Sequence, residues 1–233
     1  MQQTIEDSLG KILKRTVGIV GCGRTDAGVH ASQFYFHTDI SEDLDFDLGF
    51  RLNKVLPSDI AVFDIVPVKS KAHARFDAIN RRYDYFIHTK KDPFLNGFSS
   101  LYLNKEYNLE PMKNAASLLP LYNDYAAFCK SPRKNEHTIC HVSFADIQSD
   151  ISGSRFHFQI SSNRFLGGMI RIIVGRLLKV GEGALSLDEF ESLLVEKKLS
   201  WQLEPAYPQG LYLSGITYPY LDQATEFSLG IWR

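Results

Sequence analysis

The stretch that decides the fold lies near the N-terminus and reads Gly21-Cys22-Gly23-Arg24-Thr25-Asp26-Ala27-Gly28-Val29-His30-Ala31. Its three glycines within eight residues allow positive φ angles and a close approach of the backbone to a ligand. Asp26 and Arg24 place a carboxylate and a guanidinium two residues apart. The apolar run at residues 17–20 predicts a buried strand just before the loop, so a rigid scaffold is expected to hold these side chains.

Residue types alone leave several interpretations of this loop open. A dinucleotide-binding fingerprint needs glycine where Asp26 stands, and no Gly-Lys-Ser/Thr follows, as a P-loop would require. A tight turn in which Asp26 and Arg24 only pair fits the sequence as well as a catalytic carboxylate does. Structural ion pairs and functional sites share the same residue types, so composition does not decide between them.

The regions on either side of the loop predict alternating helices and antiparallel strands. Thr4 and Asp7 resemble a capping box, which predicts a helix start. A strand is predicted at residues 60–66, and residues 81–89 alternate so that Tyr83 and Tyr85 share one face while Arg82 and Asp84 share the other. A helix is also predicted at residues 48–56, ended by Pro57.

A second block of the same kind follows a join at about residues 90–108. Residues 168–180 predict a helix that is apolar on nearly all sides and therefore buried. Ser186 and Glu189 form a capping box, and residues 211–216 predict a last strand. Two successive blocks of this kind indicate the α+β class.

Composition excludes several classes of protein. The 233 residues are 44% hydrophobic and 23% charged, as in ordinary globular proteins, and no apolar run approaches the roughly 20 residues of a membrane span. Three cysteines give no disulfide framework and suit a reducing cytoplasm. The spacing of Cys129, His137, Cys140 and His141 matches no standard zinc motif, so no metal is expected.

Charge leaves a nucleic-acid partner open. The formal net charge is −1, but phosphate binding requires only a local basic face. Basic residues cluster at several places along the chain, including residues 69–82, 90–91, 130–134 and 164–176. A single cluster of this kind is also what an ordinary solvated surface contains.

Residues 23–31, Gly-Arg-Thr-Asp-Ala-Gly-Val-His-Ala, resemble the signature loop of the bacterial tRNA pseudouridine synthase A family. Three further stretches resemble that family in order and rough spacing, at residues 74–85, 165–175 and 205–211. The resemblance implies an α+β pseudouridine synthase fold of two ferredoxin-like subdomains with a joined mixed or antiparallel sheet and a central cleft. The implied subdomains are residues 1–100, which carry the loop, and residues 101–233.

The same resemblance implies an isomerase that converts uridine to pseudouridine at positions 38–40 of the tRNA anticodon stem-loop, without a cofactor, as a homodimer. Asp26 matches the catalytic nucleophile, a role that a carboxylate can serve. Arg171 matches the basic residue that pairs with it, and a lone arginine in an apolar stretch is costly to bury unless it is paired. A largely dry site is expected around this pair.

The substrate-binding residues implied by the resemblance are Tyr83, Arg24 and Arg82. Tyr83 matches a tyrosine that stacks on the target uracil, although it also fits a core aromatic on the inner face of its strand. Arg24 matches an arginine that fills the space the flipped base vacates.

Two departures from the family pattern give further expectations. The family's usual opening strand has no match before the helix near Thr4, so we expect reduced stability or activity without it. Residues 222–233 run past the family's usual end and have no predicted role.

Overall fold

The computed structural model describes residues 1–41, 43–197 and 203–221, so the tail at 222–233 lies outside the described residues. The chain divides into two compact units. The smaller unit comprises Met1–Arg24 and Phe34–Ala78, and the larger comprises Thr25–Gln33 and the chain from Ile79 onward. These contact-based units do not coincide with the division at residues 100 and 101, which stays a prediction about the family's subdomain plan.

The smaller unit contains two helices and a short antiparallel strand pair. Helix α1 (Gln2–Leu13) and helix α2 (Leu48–Val55) pack together, and β1 (Val20–Gly21) pairs with β3 (Phe36–His37). The α2 helix agrees with the prediction for residues 48–56. Asp47 begins it by accepting a hydrogen bond from the backbone N–H of Phe50 at 2.9 Å. The core of this unit consists of Ile5, Leu9, Val17, Ile19, Leu52 and Leu56.

The larger unit is built on a six-stranded mixed sheet. Its strands are β2 (His30–Ala31), β4 (Asn80–His88), β5 (Ser100–Leu101), β6 (Val142–Ser149), β7 (Arg155–Ser162) and β8 (Leu211–Thr217). The strand order is β2-β8-β4-β7-β6, and β5 pairs with β4. The central strand β4 is antiparallel to both β7 and β8, whereas β2 is parallel to β8. The α+β class with a mixed sheet is therefore confirmed, and the described strands form one six-stranded and one two-stranded sheet.

Three helices accompany this sheet, and their apolar side chains share one core with one face of it. They are α3 (Leu109–Leu118), α4 (Met169–Gly181) and α5 (Leu187–Glu196). Tyr85, Phe158 and Ile160 of the sheet belong to the same buried cluster as Ile173 and Leu177 of α4. Helix α4 is thus buried, as its sequence predicts, and the predicted capping box of Ser186 and Glu189 begins α5. Among the described residues, no helix has both the length and the apolar character needed to cross a membrane.

Two local predictions were wrong. Residues 60–66 form no strand, and Phe63 is 75% exposed. The side-chain amide of Asn53 takes up both backbone groups of Val62, donating to its carbonyl and accepting from its N–H at 2.7 Å each, so this backbone is satisfied without a neighbouring strand. Helix α1 begins at Gln2, and Thr4 lies inside the helix, where its carbonyl accepts from the Ser8 hydroxyl.

A glycine lets α4 approach the segment before β8. A Cβ added to Gly175 would lie 2.2 Å from the carbonyl oxygen of Glu204, which is too close for any side chain. The close approach also lets the N–H of Ala206 donate to the carbonyl of Arg171 at 2.8 Å. Gly175 therefore fixes how closely residues 204–206 lie against α4.

We predict that Gly175→Ala destabilises the larger unit by about 1–3 kcal/mol, because the new methyl forces the backbone apart. Alanine at an unconstrained helix position would instead stabilise by roughly 0.5–1 kcal/mol. Gly49→Ala in α2 is the matched control, since its added Cβ would meet its nearest atom, Asp47 Oδ1, at an ordinary 3.4 Å. Urea unfolding of both variants tests this, and equal stability for the two would contradict it.

Candidate active site

The glycine-rich loop connects β1 to β2 and contains a tight turn. The backbone N–H of Val29 donates to the carbonyl of Asp26 at 3.1 Å, which closes a turn. Gly28 has φ +78°, and a Cβ there would meet Pro208 Cγ at 3.2 Å. Glycine is required at this position for both reasons, because other residues are strained at such a φ and the neighbouring proline leaves little room.

An ion pair joins this loop to helix α4. Arg171 Nη1 donates to Asp26 Oδ2 at 3.0 Å. The Arg171 side chain is 19% exposed, whereas the Asp26 side chain is 57% exposed. The structure thus brings together the two residues predicted to be catalytic. The expectation of a largely dry site does not hold for the protein without its substrate, since more than half of the Asp26 side chain meets solvent.

A second hydrogen bond holds the Arg171 guanidinium in place. Its Nε donates to the carbonyl of Ala206 at 2.7 Å, while Nη1 points to Asp26. The backbone of Arg171 also accepts from Ala206. Because Nε and Nη1 belong to one rigid plane, fixing the first donor orients the second. The backbone of residues 205–207 therefore orients the Arg171 side chain, and we call this segment the rail.

Buried hydroxyl groups hold that rail from the sheet side. The Tyr85 hydroxyl donates to the carbonyl of Tyr207 at 2.6 Å and contacts the Ser100 hydroxyl at 2.8 Å. The backbone N–H of Tyr207 donates to the hydroxyl of Tyr102 at 3.3 Å. Burial raises the pKa of the Tyr85 phenol well above its usual value, so the group remains a hydrogen-bond donor. Tyr85 is fully buried in β4 and thus ties the central strand to the rail.

Tyr83 lies two residues before Tyr85 on the same face of β4. Its ring meets that of Phe165 edge to face, with 5.2 Å between the ring centroids. It is half-buried and packs against the main core cluster. A half-buried aromatic ring at the border of the core suits a platform for a base.

The two other predicted substrate-binding residues are Arg82 and Arg24. Arg82 alternates with Tyr83 along β4, and its side chain lies against Gly215 of β8, where an added Cβ would be 3.3 Å from Arg82 Cβ. It therefore projects from the opposite face of the sheet. Arg24 is exposed and belongs to the smaller unit.

The residues weighed as metal ligands do not form a cluster in the described part of the chain. Cys129 and Cys140 are buried free thiols, and the ring of His137 lies against Arg164. His141 Nδ1 is 3.3 Å from Asn123 Oδ1. Within residues 1–41, 43–197 and 203–221, no group of three or more His, Cys, Asp or Glu side chains is placed to hold a metal ion.

His30, the histidine of the loop, has a structural setting. Its Nε2 is 2.8 Å from the carbonyl of Gly97, and its ring stacks on Tyr212 at 4.7 Å between centroids. Both contacts anchor the end of the loop to the larger unit.

Sequence reasoning missed the role of Ala206 and Tyr207, which act through their backbone groups. A backbone acceptor has no signature in its own side chain. Tyr85 was assigned to the inner face of its strand, but its hydroxyl had no predicted partner.

Comparison with known proteins gives consistent similarities. A family model described as tRNA pseudouridine synthase matches residues 122–219. The tRNA pseudouridine synthase A of Porphyromonas gingivalis is 39% identical over 222 residues, which cover 94% of this chain and 88% of that protein. The proteins of the same name from Parabacteroides distasonis and Gloeobacter violaceus are 42% and 35% identical, also over 94% of this chain, and over 86% and 72% of their own lengths.

We predict that Tyr85→Phe destabilises the protein by about 1–2 kcal/mol, because it leaves the Tyr207 carbonyl with a weaker set of donors. Tyr207→Phe is the matched control. It removes a hydroxyl for which the described residues provide no hydrogen bond, so it should be close to neutral. Urea unfolding at constant m-value measures both changes. Equal midpoints for the two variants would show that the buried hydroxyl does not hold the rail.

Proposed function

Because the chain belongs to the tRNA pseudouridine synthase A family and is an isomerase of tRNA uridine, we propose that its targets are positions 38–40 of the anticodon stem-loop. The reaction is an intramolecular transfer. The glycosidic bond between uracil N1 and the ribose carbon breaks, the ring turns, and C5 forms the new bond. C5 loses its proton and N1 gains one, so no cofactor or oxidant is needed to balance the step.

The observation that carries this proposal is the hydrogen-bonded pair of Asp26 and Arg171. A carboxylate can act as a nucleophile in cleaving and reforming such a bond. The guanidinium holds one carboxylate oxygen through a charge-assisted hydrogen bond, which leaves the other oxygen to face the substrate. In the proposed mechanism Asp26 is the nucleophile and Arg171 positions it.

Because Asp26 is exposed in the protein alone, the bound RNA itself would complete the site. A uridine within or beside a stem must be turned out of the stack before a protein group reaches it, at a cost of a few kcal/mol. Stacking of the uracil on the Tyr83 ring would stabilise the flipped-out base by about 1–3 kcal/mol. The incoming nucleotide would also cover the carboxylate and remove water from it, so the site becomes dry only in the complex.

Arg24 and Arg82 have different proposed roles. We assign Arg24, which lies two residues before Asp26, to the gap that the flipped base leaves, since a guanidinium plane can stack on bases. Arg82 stays a predicted RNA contact. Its place on the opposite face from Tyr83 favours a phosphate over the target base as its partner.

Two further parts of the proposal are taken from the resemblance to the family. One is a homodimer in which a single tRNA contacts both subunits, and the other is action in the cytoplasm, where tRNA is processed. Dimerisation would concentrate positive surface around one RNA despite the net charge of −1.

We predict that the protein releases tritium from tRNA carrying [5-³H]uridine, and that Asp26→Asn abolishes the release while tRNA binding persists. The matched control is Asp59→Asn, which neutralises an exposed carboxylate of the smaller unit and should react at the rate of the unchanged protein. Binding without release by the unchanged protein would favour a non-catalytic RNA-binding protein. Neither binding nor release would favour a hydrolase that acts on a small substrate through Asp26.

We further predict that release requires a uridine at position 38, 39 or 40. Three tRNAs, each with uridine at only one of these positions and cytidine at the other two, should react, and a tRNA with cytidine at all three should not. Tritium release from this last tRNA would overturn the assignment of the target positions without affecting the role of Asp26.

A further inference from the structure

A group of cations lies next to the proposed uracil platform and is not used by the catalytic steps above. It consists of Lys130, Arg133, Lys134 and Arg164, and we call it the basic ridge. The first three are exposed, and Arg164 is half-buried. Among the described residues, no carboxylate lies within salt-bridge distance of any of the four, although Glu136 is only two residues beyond Lys134. Their charge is therefore available to an outside anion.

The backbone beneath the ridge is tightly held. Pro132–Lys134 forms a single turn of 3₁₀ helix, closed by the hydrogen bond from Lys134 N–H to the Ser131 carbonyl at 3.1 Å. The side-chain amide of Asn135 donates to the same carbonyl at 3.0 Å. A turn fixed in this way presents Arg133 and Lys134 on a defined surface, so little backbone entropy is lost when they bind a ligand.

Arg164 is held independently by Asn163, which directly follows β7, and by a histidine. Its backbone N–H donates to Asn163 Oδ1 at 2.9 Å, and the same oxygen accepts from the N–H of His141 at 2.8 Å. Its Nη1 lies 3.1 Å from His137 Nε2 and 3.3 Å from His137 Nδ1, so the guanidinium rests against the imidazole ring. These contacts join the end of β7 to the ridge turn.

The ridge is connected directly to the proposed active site. Arg164 precedes Phe165, whose ring contacts Tyr83. The N–H of Lys130 donates to the carbonyl of Gly167 at 3.0 Å, and an added Cβ on Gly168 would lie 3.4 Å from Lys130 Cβ. Gly168 is the N-cap of α4, which carries Arg171. The ridge thus borders the beginning of the helix that supplies the proposed positioning arginine.

We propose that the basic ridge binds the phosphates of the tRNA strand that flank the nucleotide held at Tyr83. This inference rests on the proposed function for its choice of RNA segment. The partner follows from charge complementarity. Exposed cations that have no carboxylate partner among the described residues match a regularly spaced polyanion. Contacts to the RNA phosphates would hold the strand in place while one base is turned out. The positive end of the α4 dipole points to the same side.

The experiment is a binding titration with a hairpin that corresponds to the anticodon stem-loop, with cytidine at positions 38–40 so that no reaction occurs. Arg133→Gln/Lys134→Gln is compared with the matched control Lys90→Gln/Lys91→Gln. The control pair is also adjacent and exposed on the larger unit, but it lies beyond the end of β4 opposite to Asn80. Both double variants change the net charge by the same amount.

We expect the ridge variant to bind the hairpin several-fold to about tenfold more weakly at 0.1 M salt. We also expect the slope of log K against log salt concentration to fall in magnitude by about 1–2, because two phosphate contacts are lost. The control should match the unchanged protein in both respects. Unfolding midpoints within error of one another verify that both variants are folded.

Equal weakening by the two double variants would overturn the proposal, since the effect would then come from net charge. A loss seen with full-length tRNA but not with the hairpin would also overturn it, because the contacted phosphates would lie away from the target. The absence of tritium release from any tRNA would refute the proposed function instead, and it would leave this binding comparison intact as a separate test.

Discussion

The hydrogen bond between Arg171 and Asp26 is the interaction on which the rest of the site depends. It joins a turn of the chain near the N-terminus to a helix 145 residues later. The turn leaves the carboxylate largely in solvent, and the guanidinium sits at the edge of a helix that is otherwise packed into the core. A pair between a half-buried cation and an exposed anion keeps the anion in one place without the full desolvation cost of a buried ion pair.

The fold supports that pair through successive layers. Gly175 allows α4 to lie against the segment before β8, and the carbonyl of Ala206 then fixes the plane of the guanidinium. The buried Tyr85 hydroxyl ties the same segment to the central strand. Tyr83 and Tyr85 therefore lie on one face of β4, where Tyr83 is half-buried and the buried Tyr85 hydroxyl holds the rail. Second-layer contacts of this kind give a reactive group its positional accuracy.

Sequence reasoning succeeded where the signal is local. The apolar periodicity of residues 168–180 identified α4, and the alternation of β4 placed Tyr83 and Arg82 on opposite faces. It failed where tertiary context decides. The apolar run at 60–66 fits a strand, but its backbone bonds with the Asn53 side chain instead. The exposure of Asp26 and the backbone acceptor at Ala206 depend on which distant segments meet, and no local pattern encodes them.

The most direct measurement is the single-turnover rate of Arg171→Lys with tRNA bound to excess enzyme. Lysine keeps the positive charge but has one donor group, so it cannot bond the Ala206 carbonyl and Asp26 with the geometry of a rigid guanidinium. If orientation of Asp26 by that plane drives the reaction, the rate should fall by about a hundredfold or more while the tRNA dissociation constant stays within about twofold. A variant that binds and reacts like the unchanged protein would contradict this account.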